Sequence, residues 1–363
     1  MRTTLVELFE ELADLKTLID SIKPVNDALS DLKLTVVQRY ISIRKRFDDA
    51  AFSVALYSSF EKFVENLIVE YTRIESRHVD YQALPEKLKD RHLTQSAEPL
   101  FRKRLGKNRY IGILPCDVVK NLFDCLSETK PYRLNEAAII FHDKNLYANE
   151  VDTVFSALGI ENICALVCDA DATRAWYRDT QNLDTSLEVK VRPTVIEERL
   201  KDIVVRRNQV AHHGGVPLNI LGVDAMGDAV AFIKSLATSI FGLVVGTYFK
   251  NHHAESTNRV ELVLRSKDSV YQNRKIVVVE KPFKRIFVGQ PVFVILESTG
   301  ARWGRVKNLR VDNVEAQDIE ENTNAPNGVR VRLDFEYPNN AKVKLIALQD
   351  DDDVVWPPLA PNE

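Results

Sequence analysis

Apolar positions along the chain fall into two textures. Up to about residue 252 they recur every three or four residues, the spacing of a helix with one buried face. After Asn251-His252-His253 they alternate with polar residues, the spacing of a half-buried strand. In the first part Leu5, Leu8, Leu12, Leu15, Ile19 and Ile22 form one stripe, suited to a helix partner within the chain or to a dimer seam. Pro24 lacks an N–H and crowds the preceding turn, which predicts a break or bend there. A long second helix is expected from Asn26 to Arg77, with the small and apolar run Ala50 to Phe63 in the core. Leu84-Pro85-Glu86 opens a further helix with proline in its first turn, and Pro115 with Asp117 opens one over Val118 to Leu126. Asn149 is placed to cap Glu150 to Leu158, which Gly159 closes. Thr194-Val195-Ile196-Glu197 has the form of a capping box, so a helix is expected from there to His213, stopped by Gly214 and Gly215. The longest apolar stretch, Ala229 to Phe249, is interrupted by Lys234, Ser235, Thr238, Ser239 and Thr247. It reads as a buried core helix and not as a span of about 20 unbroken apolar residues.

In the second part six strands are expected: Val260 to Leu264, Ile276 to Val279, Val292 to Leu296, Val306 to Val311, Val329 to Phe335 and Val343 to Leu348. Gly, Pro and Asn at their joints indicate a small antiparallel barrel or sandwich. The predicted class is therefore multidomain α+β. An all-α bundle over residues 1–252 precedes a β-rich accessory domain over 255–349, with a hinge near Glu255 and an acidic, proline-rich tail over 350–363. A length of 363 residues with 45% hydrophobic content accommodates about two such domains.

Charge narrows the chemistry. A formal net charge of -3, from 49 basic and 52 acidic residues, provides no cationic field over the whole molecule, so any nucleic-acid contact must be local. Four cysteines, at 116, 125, 164 and 168, are too irregularly spaced for a disulfide framework, and no secretory leader pattern precedes them; a reducing cytoplasm is expected. Cys164 and Cys168 lie among Ile163, Ala165, Leu166 and Val167, which reads as core and not as half of a zinc site with His252 and His253. Asp169, Asp171 and Asp179 belong to no ordered acidic motif, and no phosphate-binding glycine loop occurs. Neither a metal nor an organic cofactor is expected.

The candidate chemistry lies in Arg206-Arg207-Asn208-Gln209-Val210-Ala211-His212-His213-Gly214-Gly215, at the end of the predicted helix. Asn208 and His212 are four apart and share a helix face, and Arg207 is long enough to reach round from the neighbouring one. A guanidinium that binds phosphate bidentately, beside an imidazole that titrates near neutral pH, can cleave RNA without a metal. Spacing alone does not establish this, because Arg73 precedes His78 at the same interval. The competing reading is that Arg206, Arg207 and His212 stabilise the helix C-terminus by about 0.3–1 kcal/mol.

Arg207-Asn208-Gln209-Val210-Ala211-His212 followed by glycines resembles the signature of HEPN-domain ribonucleases, in which an arginine, four to six residues and a histidine end a helix of an all-α bundle. Leu56 to Glu65, Leu84-Pro85-Glu86-Lys87, Asn145-Leu146-Tyr147 and Val154 to Ile160 resemble, in that order, pieces of the RiboL-PSP-HEPN and MAE-type HEPN-like branch. The resemblance covers most of residues 40–220 and excludes the β-rich part. It implies RNA as partner and a homodimer with a composite cleft. The implied reaction is endoribonuclease cleavage by 2′-hydroxyl attack, giving 2′,3′-cyclic phosphate and 5′-hydroxyl ends, in a toxin or antiphage defence setting with a possible neutralising partner. Arg207, Asn208 and His212 would be the catalytic residues; Glu61, as an acid pairing with Arg207, Arg206 and the neighbouring His213 would stand behind them. The alternative is a non-catalytic HEPN-type RNA-binding or assembly module. In the β-rich part Lys281, Lys284, Arg285, Arg302, Arg305, Lys307 and Arg310 interleave with Phe283, Phe287, Phe293 and Trp303. That pattern fits a single-strand-binding surface or an ordinary amphipathic sheet.

Overall fold

In the computed structural model the described residues are 1–107, 110–142, 144–184, 189–212, 219–253, 259–266, 269–280, 285–296, 300–320, 323–338 and 344–348, with the backbone alone for His212 and Gly300. A helical N-terminal region is followed by a curled antiparallel sheet, so the chain is α+β. Two compact units divide within one long helix, Met1–Thr238 and Ser239–Glu363. The expected hinge at Glu255 lies outside the described residues, as do His213 and the acidic tail.

In the first unit α1 (Arg2–Ser30) and α2 (Thr35–His78) pack side by side. Leu8, Leu12, Leu15 and Ile19 of the predicted stripe are buried, and Leu5 and Ile22 are half-buried at its ends, so the seam is filled from within the chain. Pro24 does not end α1. It and Asp20, whose carbonyl loses its N–H donor, are both exposed, so water can replace the missing bond. The break comes later, where Lys33 takes φ 52°. From Asp49 onward α2 is lined with buried residues, among them Phe52, Leu56, Tyr57, Phe60 and Phe63.

Around this pair lie α3 (Glu86–Phe101), α4 (Pro115–Leu126), α5 (Glu136–Ile139), α6 (Ala148–Ser156), α7 (Ile163–Leu166), α8 (Asp171–Thr180) and α9 (Pro193–His212). Pro115 opens α4 as expected, whereas Pro85 stands just before α3 as its cap residue. The cap of α6 is Tyr147, which puts Asn149 inside the first turn. After α6 Gly159 takes φ 82°, its N–H bonds Ser156 O at 3.0 Å, and Ile160 N–H bonds Phe155 O at 3.1 Å. This crossed pair closes a helix and suits glycine in the left-handed region. α9 begins at Pro193, with Val195 N–H on Arg192 O at 3.0 Å, so Thr194 lies inside the first turn instead of capping it.

α10 (Val223–His253) has a window of mean hydropathy 1.8, long and apolar enough by composition to cross a membrane. Within that window 67% of the residues are buried inside the protein, the behaviour of a core helix. Phe232 packs on Trp176 at 5.0 Å in the first unit. In the second unit Phe249 stacks on Phe293 at 5.1 Å, and Trp303 Nε1 donates to Gly242 O at 2.7 Å.

The sheet contains β1 (Arg259–Leu262), β2 (Val270–Tyr271), β3 (Ile276–Val279), β5 (Pro291–Leu296), β6 (Gly300–Val311), β7 (Val314–Ala316), β9 (Val329–Leu333) and β10 (Leu345–Leu348), while β4 (Ile286–Phe287) pairs separately with β8 (Asp318–Ile319). The order is β1-β10-β5-β6-β9-β3-β2, with β7 on the second half of β6. The sheet rolls so far that Leu264, beyond β1, bridges Val279 of β3. Alternation fills the inside with Val277, Val279, Val292, Val294, Leu309, Val329 and Val331. β5 is buried on both faces because α10 covers its outer side, where Phe293 meets Phe249.

Candidate functional site

Three elements of the first unit converge on the motif. α2 places Tyr57, Glu61 and Glu65 four residues apart on one face; the loop between α5 and α6 contributes His142 and Asn145; the last turns of α9 contribute Arg207 and Asn208. The Arg207 guanidinium lies over the Tyr57 ring, 5.3 Å from its centroid, and Nη1 donates to Asn208 Oδ1 at 3.2 Å. Asn145 Nδ2 donates to the same oxygen at 2.8 Å. Two donors on Oδ1 fix the orientation of the Asn208 amide and leave its NH2 to donate elsewhere.

Tyr57 is the keystone of this arrangement. Its hydroxyl donates to Glu61 Oε1 at 2.8 Å and accepts the Leu146 N–H at 3.1 Å, which pins the loop to α2. Burial, foremost, pushes the phenol well above its ordinary range, so it stays a neutral donor at any physiological pH. Glu61 therefore reaches Arg207 through the Tyr57 ring and not by a direct ion pair.

Glu61 Oε1 also lies 3.8 Å from His142 Nε2, and Glu65 Oε1 lies 3.1 Å from the same nitrogen. Nδ1 of His142 donates to Lys144 O at 2.7 Å. With acceptors at both ring nitrogens the imidazolium is favoured. The hydrogen bond to Glu65 is the largest cause and, with smaller contributions from Lys144 O and Glu61, outweighs burial in raising this histidine above 6.5. The sequence reading missed His142, because a lone histidine 77 residues from its carboxylate partner carries no local signal.

Arg206 serves another purpose. Its Nε pairs with Asp202 at 2.9 Å and its Nη1 donates to Asn219 O at 3.0 Å, which ties down the chain where the described residues resume after the motif. Buried Asp49 accepts the Leu221 N–H at 3.2 Å from the same segment, and burial raises its carboxyl above the ordinary value despite nearby Arg206. His212 is the last residue of α9 and its side chain lies outside the described residues; His213 lies wholly outside them.

Cys164 and Cys168 are buried, with Cys168 Sγ on Cys164 O at 3.4 Å and Cys164 Sγ on Ala148 O at 3.5 Å; desolvation, the main cause, pushes the Cys168 thiol up to about 11. In the second unit part of the expected basic and aromatic surface is taken up, among the described residues, by contacts within the protein. Phe293 is buried under α10, Trp303 is bonded to it, Arg305 Nη1 donates to Gly289 O at 3.0 Å and Arg285 pairs with Asp318. Lys281, Phe283 and Lys284 lie outside the described residues.

A unit that is helical among the described residues, with a helix that ends in arginine, amide and histidine, fits the HEPN class. The RiboL-PSP-HEPN family model matches residues 4–245, and the chain belongs to that family. No curated protein matches the chain.

Proposed function

We propose that the protein is a metal-independent endoribonuclease. The observation that carries this reading is the fixed pairing of Arg207 with Asn208, the guanidinium on the Tyr57 ring and the amide held by Asn145. Together they offer a phosphate a charged fork and a neutral N–H donor without reorganisation. The RNA 2′-oxygen attacks the adjacent phosphorus and the bond to the 5′-oxygen breaks. The 2′-hydroxyl proton passes to an imidazole, assigned to His212, and the leaving oxygen takes up a proton. The products are 2′,3′-cyclic phosphate and 5′-hydroxyl ends. Arg207 stabilises the added charge on the phosphorane.

A second copy completes the cleft. Val36, Tyr40, Ile43 and Phe47, spaced four, three and four along the exposed start of α2, form a solvent-facing apolar stripe with the spacing of a helix seam. The setting proposed is that of a cytoplasmic toxin or antiphage defence effector, with a neutralising or regulatory protein as partner.

The test is cleavage of total cellular RNA in EDTA by wild type, His212→Ala and Arg207→Ala, with end-group analysis. Cyclic-phosphate ends from wild type alone are expected. Intact RNA with all three proteins, across several RNA classes, would sink the enzyme reading and leave a binding module.

A further inference from the structure

The second unit carries an open cationic cleft of about 760 Å³ on the outer face of β3, β9, β6 and β7. Its origin is the strand period. β9 sends Val329, Val331 and Leu333 inward and Arg330 and Arg332 outward, and register continues each outward position across the sheet. One row runs Glu315, Arg310, Arg330 and Val278; the next runs Asn308, Arg332, Ile276 and Tyr271. Lys275 and Lys307 add two further cations to the lining.

Three features separate this face from an ordinary solvated one. Arg310 and Arg330 stand directly opposite each other, a relation in which like charges destabilise a sheet, and of the two only Arg310 has a carboxylate partner among the described residues. The two forks are held from outside the pair, Arg310 by Glu315 at 2.5 Å and Arg330 by Asn313 Oδ1 at 2.5 Å, while Arg332 has no ion pair among the described residues. Tyr271, 52% exposed, sits on the same face beyond Ile276 as a ring open to stacking. All this is concentrated on a chain of net charge -3.

We infer that this face binds the backbone of single-stranded RNA. Guanidinium forks take up the phosphates and Tyr271 stacks one base, a combination that suits a nucleic-acid strand, with a ring on every unit, better than an acidic peptide, whose carboxylate side chains offer the tyrosine none. The inference rests on the reading of the protein as acting on RNA, and assigns the sheet to holding the strand.

The experiment measures binding of a fluorescent oligouridylate to the full chain across a salt series, using His212→Ala protein so that no cleavage intervenes. Adding Arg330→Gln and Arg332→Gln together is expected to weaken binding at least about tenfold and to flatten the dependence of log Kd on log salt by roughly 1.4. Arg330→Lys with Arg332→Lys should restore the slope. Thermal unfolding of the glutamine variant should be unchanged or higher, since the Arg310–Arg330 repulsion is relieved. Equal affinity and slope with and without the glutamines would overturn the inference, as would a parent protein that binds polyglutamate and not the RNA. Retained binding in a wild type that cleaves no RNA would instead remove the proposed chemistry and leave this site standing.

Discussion

His92 shows how one buried side chain writes a pH dependence into the fold. It is fully buried on α3, its Nε2 accepts the Asn135 N–H at 2.9 Å and its Nδ1 faces the Tyr81 hydroxyl at 3.3 Å. An imidazole whose Nε2 accepts an N–H must be neutral, and burial pushes its pKa down from 6.5 to about 4. The unfolded chain thus binds a proton that the native one refuses. Stability is full above pH 6.5 and falls as pH drops toward 4, by about 3 kcal/mol in total at roughly 1.4 kcal/mol per tenfold change in proton affinity. Melting curves across that range should fall more steeply for wild type than for His92→Gln; parallel curves would refute the assignment. At the site, Tyr57→Phe keeps the ring beneath Arg207, whereas Tyr57→Leu removes it, at a cost of about 0.5–2 kcal/mol in cation–π attraction. RNA cleavage by the leucine variant is expected to be several-fold lower than by the phenylalanine one, and equal rates would show that the ring face does not matter. The motif itself was legible residue by residue, because Arg207, Asn208 and His212 lie within one helix. Tyr57, His142 and Asn145 were not legible as members of the candidate site, since Tyr57 meets Arg207, His142 meets Glu65 and Asn145 meets Asn208 only across long gaps in sequence.

Among the elements, α10 shows how differently two glycines of one helix behave. A Cβ on Gly246 would sit 2.1 Å from Ala301 O of β6, while one on Gly242 meets nothing within 4 Å. Gly242→Ala should therefore stabilise the protein by up to about 1 kcal/mol through helix propensity. Gly246→Ala should destabilise it by about 1–3 kcal/mol through overpacking. Chemical denaturation of both variants checks the pair, and a stabilised Gly246→Ala would contradict the close helix–sheet approach. At the exposed start of α2, Phe47→Glu together with Tyr40→Glu should shift the proposed dimer to monomer in light scattering without unfolding the bundle, and an unchanged mass would exclude this stripe as the seam. Helix periodicity announced most of these elements. At Pro24 a break or bend was expected and the helix runs on, because a proline rule read locally cannot know that the freed carbonyl faces water.

For the molecule as a whole, the division inside α10 sets what can be removed. A chain cut at Glu255 would strip the sheet from Phe241 and Phe249, which pack on Trp303 and Phe293. Such a fragment is expected to aggregate, or to exchange the amides of residues 239–253 rapidly, while the intact chain protects them; a soluble fragment with full protection would show that α10 needs no sheet. The sequence by itself determined what depends on near neighbours: the two textures, the α+β class, the buried face of α1, the helix that ends in arginine, amide and histidine, and the outward turn of alternate strand residues. Only the tertiary structure decided what depends on distant ones. It put Glu61 behind Tyr57 and not against Arg207, it brought His142 to Glu65, and it closed α10 over Phe293 and Trp303. It also aligned Arg310 with Arg330. Periodicity fixes which face a side chain takes, and packing between segments remote in sequence fixes what that face meets.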